Sequence, residues 1–279
     1  MNNTAMSKWG DLGVRTASAI ILIPAVLACI WQGGMWFIAF VLLLGFLVAH
    51  EWVSMVFPAN PVQYALHFLA AGVGAVAPTF LDPQQTVLCI IGVAMVSAIV
   101  ARFGDNATSK WSYFGIFYVG LPAVALVLLR RDADYGALAI LWIFLIVWGA
   151  DIFAYFAGRN IGGPKLAPRI SPKKTWAGLG GAIFGSALAS VLVAHFAQLK
   201  GIAALAFLAA IFAIVEQGGD LFESSLKRFH NVKDSGRLIP GHGGVIDRMD
   251  GLLFVAVIAA IIGLLRAGDM ALAQGLLRW

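Results

Sequence analysis

The sequence predicts an all-α, polytopic integral membrane protein of about nine transmembrane helices, with its N-terminus on the cytoplasmic side. Three observations carry this expectation. Of 279 residues, 61% are hydrophobic and only 12% are charged, where soluble domains carry about 25% charged residues. The mean hydropathy is +0.88. The apolar residues fall in runs that approach the about 20 needed to cross hydrocarbon as a helix. A net charge of +5 arrives without a basic, aromatic-studded soluble segment, so it reads as membrane topology and excludes a nucleic-acid partner.

Taken in order, residues 1–15 are polar, with Lys8, Asp11 and Arg15, and the first apolar run covers 16–32. No small-residue cleavage pattern follows it, so it is expected to stay as a span. Further runs fall at 35–57, 64–81, 86–101, 112–129, 136–157, 177–199, 201–222 and 249–267. Gly33-Gly34, Pro58 to Pro61, Asp82-Pro83, the polar stretches 102–110 and 130–134, the loop 158–176 and Lys200-Gly201 divide them, as turn-forming and charged residues should. The chain then divides into an N-terminal bundle, 1–81, a middle region, 82–134, and a C-terminal region, 135–279, with cytoplasmic loops at 158–176 and 223–248. Residues from Asp269 onward predict a short interfacial helix ending in Trp279. Most Lys and Arg side chains fall on the side that holds the N-terminus, leaving Arg130, Arg131, Lys200, Arg266 and Arg278 opposite, which sets the orientation. Cys29 and Cys89 lie in apolar runs with no disulfide or metal spacing.

The chemistry concentrates between the last two runs. There, carboxylates at Asp220, Glu223, Asp234, Asp247 and Asp250 alternate with Lys227, Arg228, Lys233, Arg237 and Arg248 around a Pro240-Gly241-His242-Gly243-Gly244 turn. Hydrocarbon cannot solvate such a segment. Hard divalent cations take carboxylate oxygens, and phosphates take Arg and Lys heads with close backbone approach. Together they suggest a nucleotide site. Asp247 and Asp250 stand three apart, so on a helix they share a face that one metal can bridge. A plainer reading stays open, in which Asp247 caps the last helix with Asp250 in its first turn.

Loop 158–176 holds Arg159, Lys165, Arg169, Lys173 and Lys174 and no acid. Ser171-Pro172 reads as a helix start, with Ser at the N-cap and Pro at the first helical position. Two lysines on the first turn of that helix would favour a triphosphate, although a basic cytoplasmic loop needs no ligand to explain it. Asp151 lies inside the sixth run, and Glu216 and Asp220 end the eighth, four apart on one face. Intramembrane acids face a wet cavity or a partner, so for Asp151 and Glu216 pairing with a loop cation and a catalytic part are both open. His50-Glu51 in the second run reads as an interhelical hydrogen bond or a head-group contact. His67 and His195 read as packed or interfacial, and His230 as solvated.

The ordered series Gly219-Asp220-Leu221-x-Glu223-Ser224-x-Leu226-Lys227-Arg228, Lys233-Asp234-x-Gly236 and Pro240-x-His242-Gly243-Gly244-Val245-x-Asp247-Arg248-Met249-Asp250 resembles the motif of the phosphatidate cytidylyltransferases. Upstream, Ala154-Tyr155, Gly158-Arg159, Lys165-Leu166-Ala167-Pro168 and Ser171-Pro172-x-Lys174-Thr175 resemble a second block of that family. Gly163 departs from a common Lys, and Ala177 from an acidic or amide side chain. The resemblance implies a magnesium-dependent enzyme of the bacterial inner membrane, its site facing the cytoplasm, that joins CTP to phosphatidic acid. It implies one or two divalent ions on Asp220, Asp247 and Asp250, with room for a monovalent ion. Catalytic parts fall to Asp220, Lys227, Arg228, Lys233, Asp234, His242, Asp247, Arg248 and Asp250. Substrate contacts fall to Arg159, Lys165, Ser171, Lys173, Lys174, Thr175, Gly243 and Gly244. The expected partners are CTP, phosphatidic acid and the lipid bilayer, with a homodimer allowed. A CTP-dependent lipid alcohol kinase and a secondary transporter stay as alternatives, the second weakened by the lack of an internal repeat.

Overall fold

The computed structural model describes residues 20–103, 109–236, 238, 243–268 and 271–279. Each apolar run forms a helix: α1 (Ile20–Gln32), α2 (Gly34–Val56), α3 (Pro61–Val76), α4 (Pro83–Phe103), α5 (Ser109–Arg131), α6 (Gly136–Asn160), α7 (Trp176–Phe196), α8 (Ile202–Phe229) and α9 (Ile246–Ala267). Among the described residues, seven of these, α2 and α4 to α9, are long and apolar enough to cross a membrane. α1 and α3 are shorter than that, and α3 gives way to a 3-10 turn at Ala77–Thr79. The expected C-terminal helix is α10 (Leu272–Leu277), which packs its leucines and alanine into the bundle.

Helix α5 is the axis of the bundle. Of its most apolar stretch, 78% is buried, against 28% to 44% for the other six candidate spans. It packs on α2, α3, α4 and α9. With lipid as the surrounding solvent, apolar burial drives helix association weakly, and close packing and interhelical hydrogen bonds take over. Both devices are present. Gln63 on α3 and Ser97 on α4 exchange hydrogen bonds at 2.8 and 3.3 Å. Trp142 on α6 donates to Ser190 on α7 at 2.9 Å, and Ser186 on α7 donates to the carbonyl of Ala209 on α8 at 2.8 Å. Small residues line the two contacts that matter for function. A Cβ on Gly149 of α6 would lie 2.8 Å from the Gly185 carbonyl of α7, and one on Gly219 of α8 would lie 2.8 Å from the Asp250 carbonyl of α9.

The membrane-facing ends are pinned by charge. Gly33 (φ 65°) turns the chain out of α1, and Arg130 from α5 donates to the freed carbonyls of Ile30 at 2.7 Å and Trp31 at 3.1 Å. At the same end Asp132 accepts from the amides of Asp134 and Tyr135 in the turn before α6, and also from the amide of Gln274, which ties down α10. Arg266 completes that tie by donating to the carbonyls of Gly275 and Arg278 while stacking on the Trp279 ring.

Three boundaries differ from the sequence expectation. Ser171 does not cap a helix: β2 (Ser171–Thr175) pairs antiparallel with β1 (Lys165–Ala167), and α7 begins only at Trp176. Thr175 is the N-cap, its hydroxyl accepting from Gly178 at 3.0 Å, so Lys173 and Lys174 lie on an extended strand. A threonine cap next to an apolar, glycine-rich run competes well with Ser171. Helix α8 runs past the expected end of its span to Phe229, because Glu223 and Lys227, four apart, form an ion pair along it. The polar segment that follows is correspondingly shorter than 223–248, and α9 already begins at Ile246.

Candidate active site

Four elements build the site. Glu216, Asp220, Glu223 and Lys227 recur at intervals of four, three and four on α8, so they line one helical face. α6 adds Asp151, β2 adds Lys174, and the first turns of α9 add Asp247, Arg248 and Asp250. The glycine contact between α8 and α9 brings the last group against the first.

Two clusters result. In the first, carboxylate oxygens of Asp151, Glu216 and Asp220 all lie within 4.8 Å of one another. Glu216 is 1% exposed and accepts from the Gln217 amide at 2.9 Å. The Lys174 ammonium donates to Asp220 at 2.5 Å and to the Gln217 side-chain oxygen at 3.1 Å, so the hairpin is latched over the acids. Asp151 opens with Arg248 onto a cavity of about 350 Å³ whose other walls, from α1, α6 and α9, are apolar. Asp250 faces both Asp220 and Glu223. In the second cluster, Lys227 bridges Glu223 at 2.7 Å and Asp247 at 2.8 Å. Asp247 also accepts from the amides of Ser235, at 3.2 and 3.3 Å, and Gly244, at 3.0 Å.

Asp220 and Asp250 are therefore brought together as expected of a shared site, whereas Asp247 is occupied by Lys227 and backbone donors. Asp151 and Glu216, for which the sequence left a pairing with a loop cation and a catalytic part both open, stand beside Asp220. The signal was there in the four-residue spacing of Glu216 and Asp220, but nothing local announces that Asp151 joins them from α6. An all-oxygen set this close suits a hard cation and excludes a soft-metal preference.

The expected phosphate ligands spread over the same face. Lys165, Lys173, Arg228, Lys233, Asp234 and Arg248 are exposed. Arg159 donates to the Tyr155 hydroxyl at 2.5 Å and stacks on its ring. Ser171 is half-buried on β2 and Thr175 is buried as the α7 cap. Gly243 and Gly244 precede α9, and a Cβ on Gly243 would lie 3.3 Å from Asp247. His242, Pro240, Gly241 and Arg237 lie outside the described residues. His230, expected to be solvated, is half-buried: its ring packs on Trp111 and Phe229, and burial holds its imidazole below the usual histidine range. His67 is buried in the bundle, as expected.

A sequence model described as the cytidylyltransferase family matches residues 13–265. The chain belongs to that family. It is 37% identical over 254 residues to the phosphatidate cytidylyltransferase of Brucella abortus biovar 1 (strain 9-941), covering 91% of this chain and 93% of that protein. It is 31% identical over 258 residues to the phosphatidate cytidylyltransferase of Staphylococcus aureus (strain COL), covering 89% and 98%. The protein of that name from Rickettsia bellii (strain RML369-C) is 36% identical over 196 residues, 67% of this chain and 83% of its own length. The family match spans α1 to α9 and both clusters, so the carboxylates of α6, α8 and α9 lie inside it.

Proposed function

We propose that this protein is an integral membrane phosphatidate cytidylyltransferase of a bacterial inner membrane, moving CMP from CTP to phosphatidic acid and releasing pyrophosphate. The observation that carries the reading is the carboxylate cluster of Asp151, Glu216 and Asp220, gathered between α6 and α8 beneath a basic hairpin, with the first turns of α9 alongside. Such a site lets a water-borne triphosphate meet a lipid phosphate at the membrane boundary. The excess of Lys and Arg on the hairpin and after α8 supports a cytoplasmic position for this face and for the N-terminus.

In the reaction an oxygen of the lipid phosphate attacks the α-phosphorus of CTP, the new P–O bond forms, and the bond to the β-phosphate oxygen breaks. Both reactants are anions, so charge neutralisation and alignment supply most of the rate. The oxygen set of Asp220, Asp151 and Glu216, with Asp250 alongside, fits Mg²⁺, one or two ions. The bound ion would lower the repulsion between the phosphates and stabilise the leaving pyrophosphate. Lys174 sits within reach of the same oxygens and would turn from Asp220 to a phosphate. Arg248, beside Asp151 at the mouth of the apolar cavity, is placed for the lipid phosphate. Arg159, Lys165, Lys173, Arg228 and Lys233 would hold the triphosphate. Asp247 fixes Lys227 and the residues before α9, and Asp234 lines the same exposed segment.

Purified protein supplied with phosphatidic acid and CTP labelled at either the α- or the γ-phosphate tests this. Label from the α-position in the lipid, only with added Mg²⁺, is the expected result. Label from the γ-position would make the protein a lipid kinase and defeat the proposal.

A further inference from the structure

Glu51 lies on α2, outside both clusters, yet its carboxylate is 1% exposed. Burying a carboxylate is costly unless its oxygens find donors. It accepts from the Ser235 hydroxyl at 3.0 Å, the Val245 amide at 2.8 Å and the Ile246 amide at 2.8 Å. Ser235 and Val245 belong to the segment that joins α8 to α9, and Ile246 is the first residue of α9. The N-cap of α9, Val245, has no side-chain oxygen to offer its own first turn, and helices leave their first four amides unpaired. Glu51 meets two amides at that end, and its negative charge is favoured at a helix N-terminus.

The neighbouring glycines fit the same device. A Cβ on Gly236 would lie 2.7 Å from the Glu51 carboxyl carbon, and one on Gly244 would lie 2.8 Å from a Glu51 oxygen. Gly236 is thus required by the close approach of Glu51, and Gly244 by Glu51 together with the Ser235 hydroxyl and the Gly236 backbone nitrogen. On its other side the segment is held by Asp247, which takes the amides of Ser235 and Gly244. Glu51 and Asp247 together clamp Ser235-Gly236 to Gly244-Val245-Ile246, and that clamp sets where α9 starts. The start of α9 in turn fixes the place of Asp247, Arg248 and Asp250.

We infer that Glu51 is a positioning residue for the transfer reaction, acting from α2 through the start of α9 without touching the reactants. The inference rests on the cytidylyltransferase reading for its reaction, but its geometry stands apart from it. Glu51→Gln keeps the shape of the side chain and turns one acceptor oxygen into a donor that faces backbone N–H groups. The expected result is a loss of kcat of about 100-fold, the scale of a small displacement of reacting groups. The KM for CTP should stay within about twofold, since the exposed cations that bind it are untouched. Glu51→Asp, which keeps the charge, should recover at least about tenfold of that loss, as a positioning role and not a general folding role requires. Hydrogen exchange supplies the readout without substrate: Val245 and Ile246 should lose protection in Glu51→Gln while α6 and α7 keep theirs. Unchanged protection at those amides overturns the clamp, and lost protection with wild-type kcat overturns its role in the reaction. If Glu51→Gln cannot be purified, Ser235→Ala removes one of the three hydrogen bonds and should lower kcat about threefold to tenfold. A wild-type kcat in that variant overturns the inference. Wild-type protein that makes no CDP-lipid would sink the functional reading while the exchange experiment still judges the clamp.

Discussion

Replacing Lys174 by Met tests how the hairpin serves the site. The substitution keeps most of the apolar stem of the lysine and removes its two contacts, the 2.5 Å ion pair with Asp220 and the 3.1 Å hydrogen bond to Gln217. Both partners are largely sheltered, with side chains 18% and 22% exposed for Lys174 and Asp220, so solvent screens the pair only in part. A charge-assisted hydrogen bond contributes about 1.5 to 3 kcal/mol. If the same ammonium turns to a phosphate in the transition state, kcat/KM for CTP should fall about 10- to 150-fold. The variant makes a second change of opposite sign. Without the competing ammonium, the three carboxylates hold more net negative charge, so half-maximal activity should need less Mg²⁺. Steady-state rates over a Mg²⁺ titration give both numbers from one preparation. A kcat/KM within twofold of wild type, or a raised Mg²⁺ requirement, would refute the argument.

Other outcomes follow from the packing and the charges. Gly219→Val should force α8 away from the Asp250 carbonyl, lowering the unfolding midpoint of purified protein by an overpacking cost of about 1 to 3 kcal/mol and abolishing turnover; a variant of wild-type activity contradicts the close contact. Asp132→Ala removes the hydrogen bonds of the turn before α6 and the tie to α10, so stability should drop by about 1 to 3 kcal/mol while kcat stays near wild type, as thermal unfolding and rates will show. His230 is held below the usual histidine range by burial, so the unfolded chain takes up a proton first. Its stabilising part is full above about pH 6.5 and is lost as pH falls below that value; His230→Phe should flatten this acid limb of the unfolding curve.

How much of this was legible depended on the range of the interactions. The apolar runs declared every helix of the bundle, because hydrocarbon demands that backbone groups pair within the segment. Helix ends were less legible. Ser171-Pro172 carries the local marks of a helix start, but the chain pairs with Lys165–Ala167 first and leaves capping to Thr175. The face of α8 bearing Glu216 and Asp220 could be read from spacing alone. The convergence of Asp151 from α6 on that face is tertiary, set by glycine contacts such as Gly149 against Gly185. The same holds for Glu51, which meets Val245 and Ile246 from nearly two hundred residues away; that it needs a polar partner was readable, which partner was not. For Asp247 the motif position was readable, whereas its lysine and two backbone partners, brought from α8 and the segment before α9, were not.

The central claim is that carboxylates of α6, α8 and α9 form the seat of a divalent ion at the membrane surface. Mn²⁺ titration of the purified, nucleotide-free protein, followed by electron paramagnetic resonance, tests it most directly. Saturable binding in wild type and in His195→Ala, lost in Asp220→Asn, is the predicted result. Binding in Asp220→Asn that matches wild type would contradict the account.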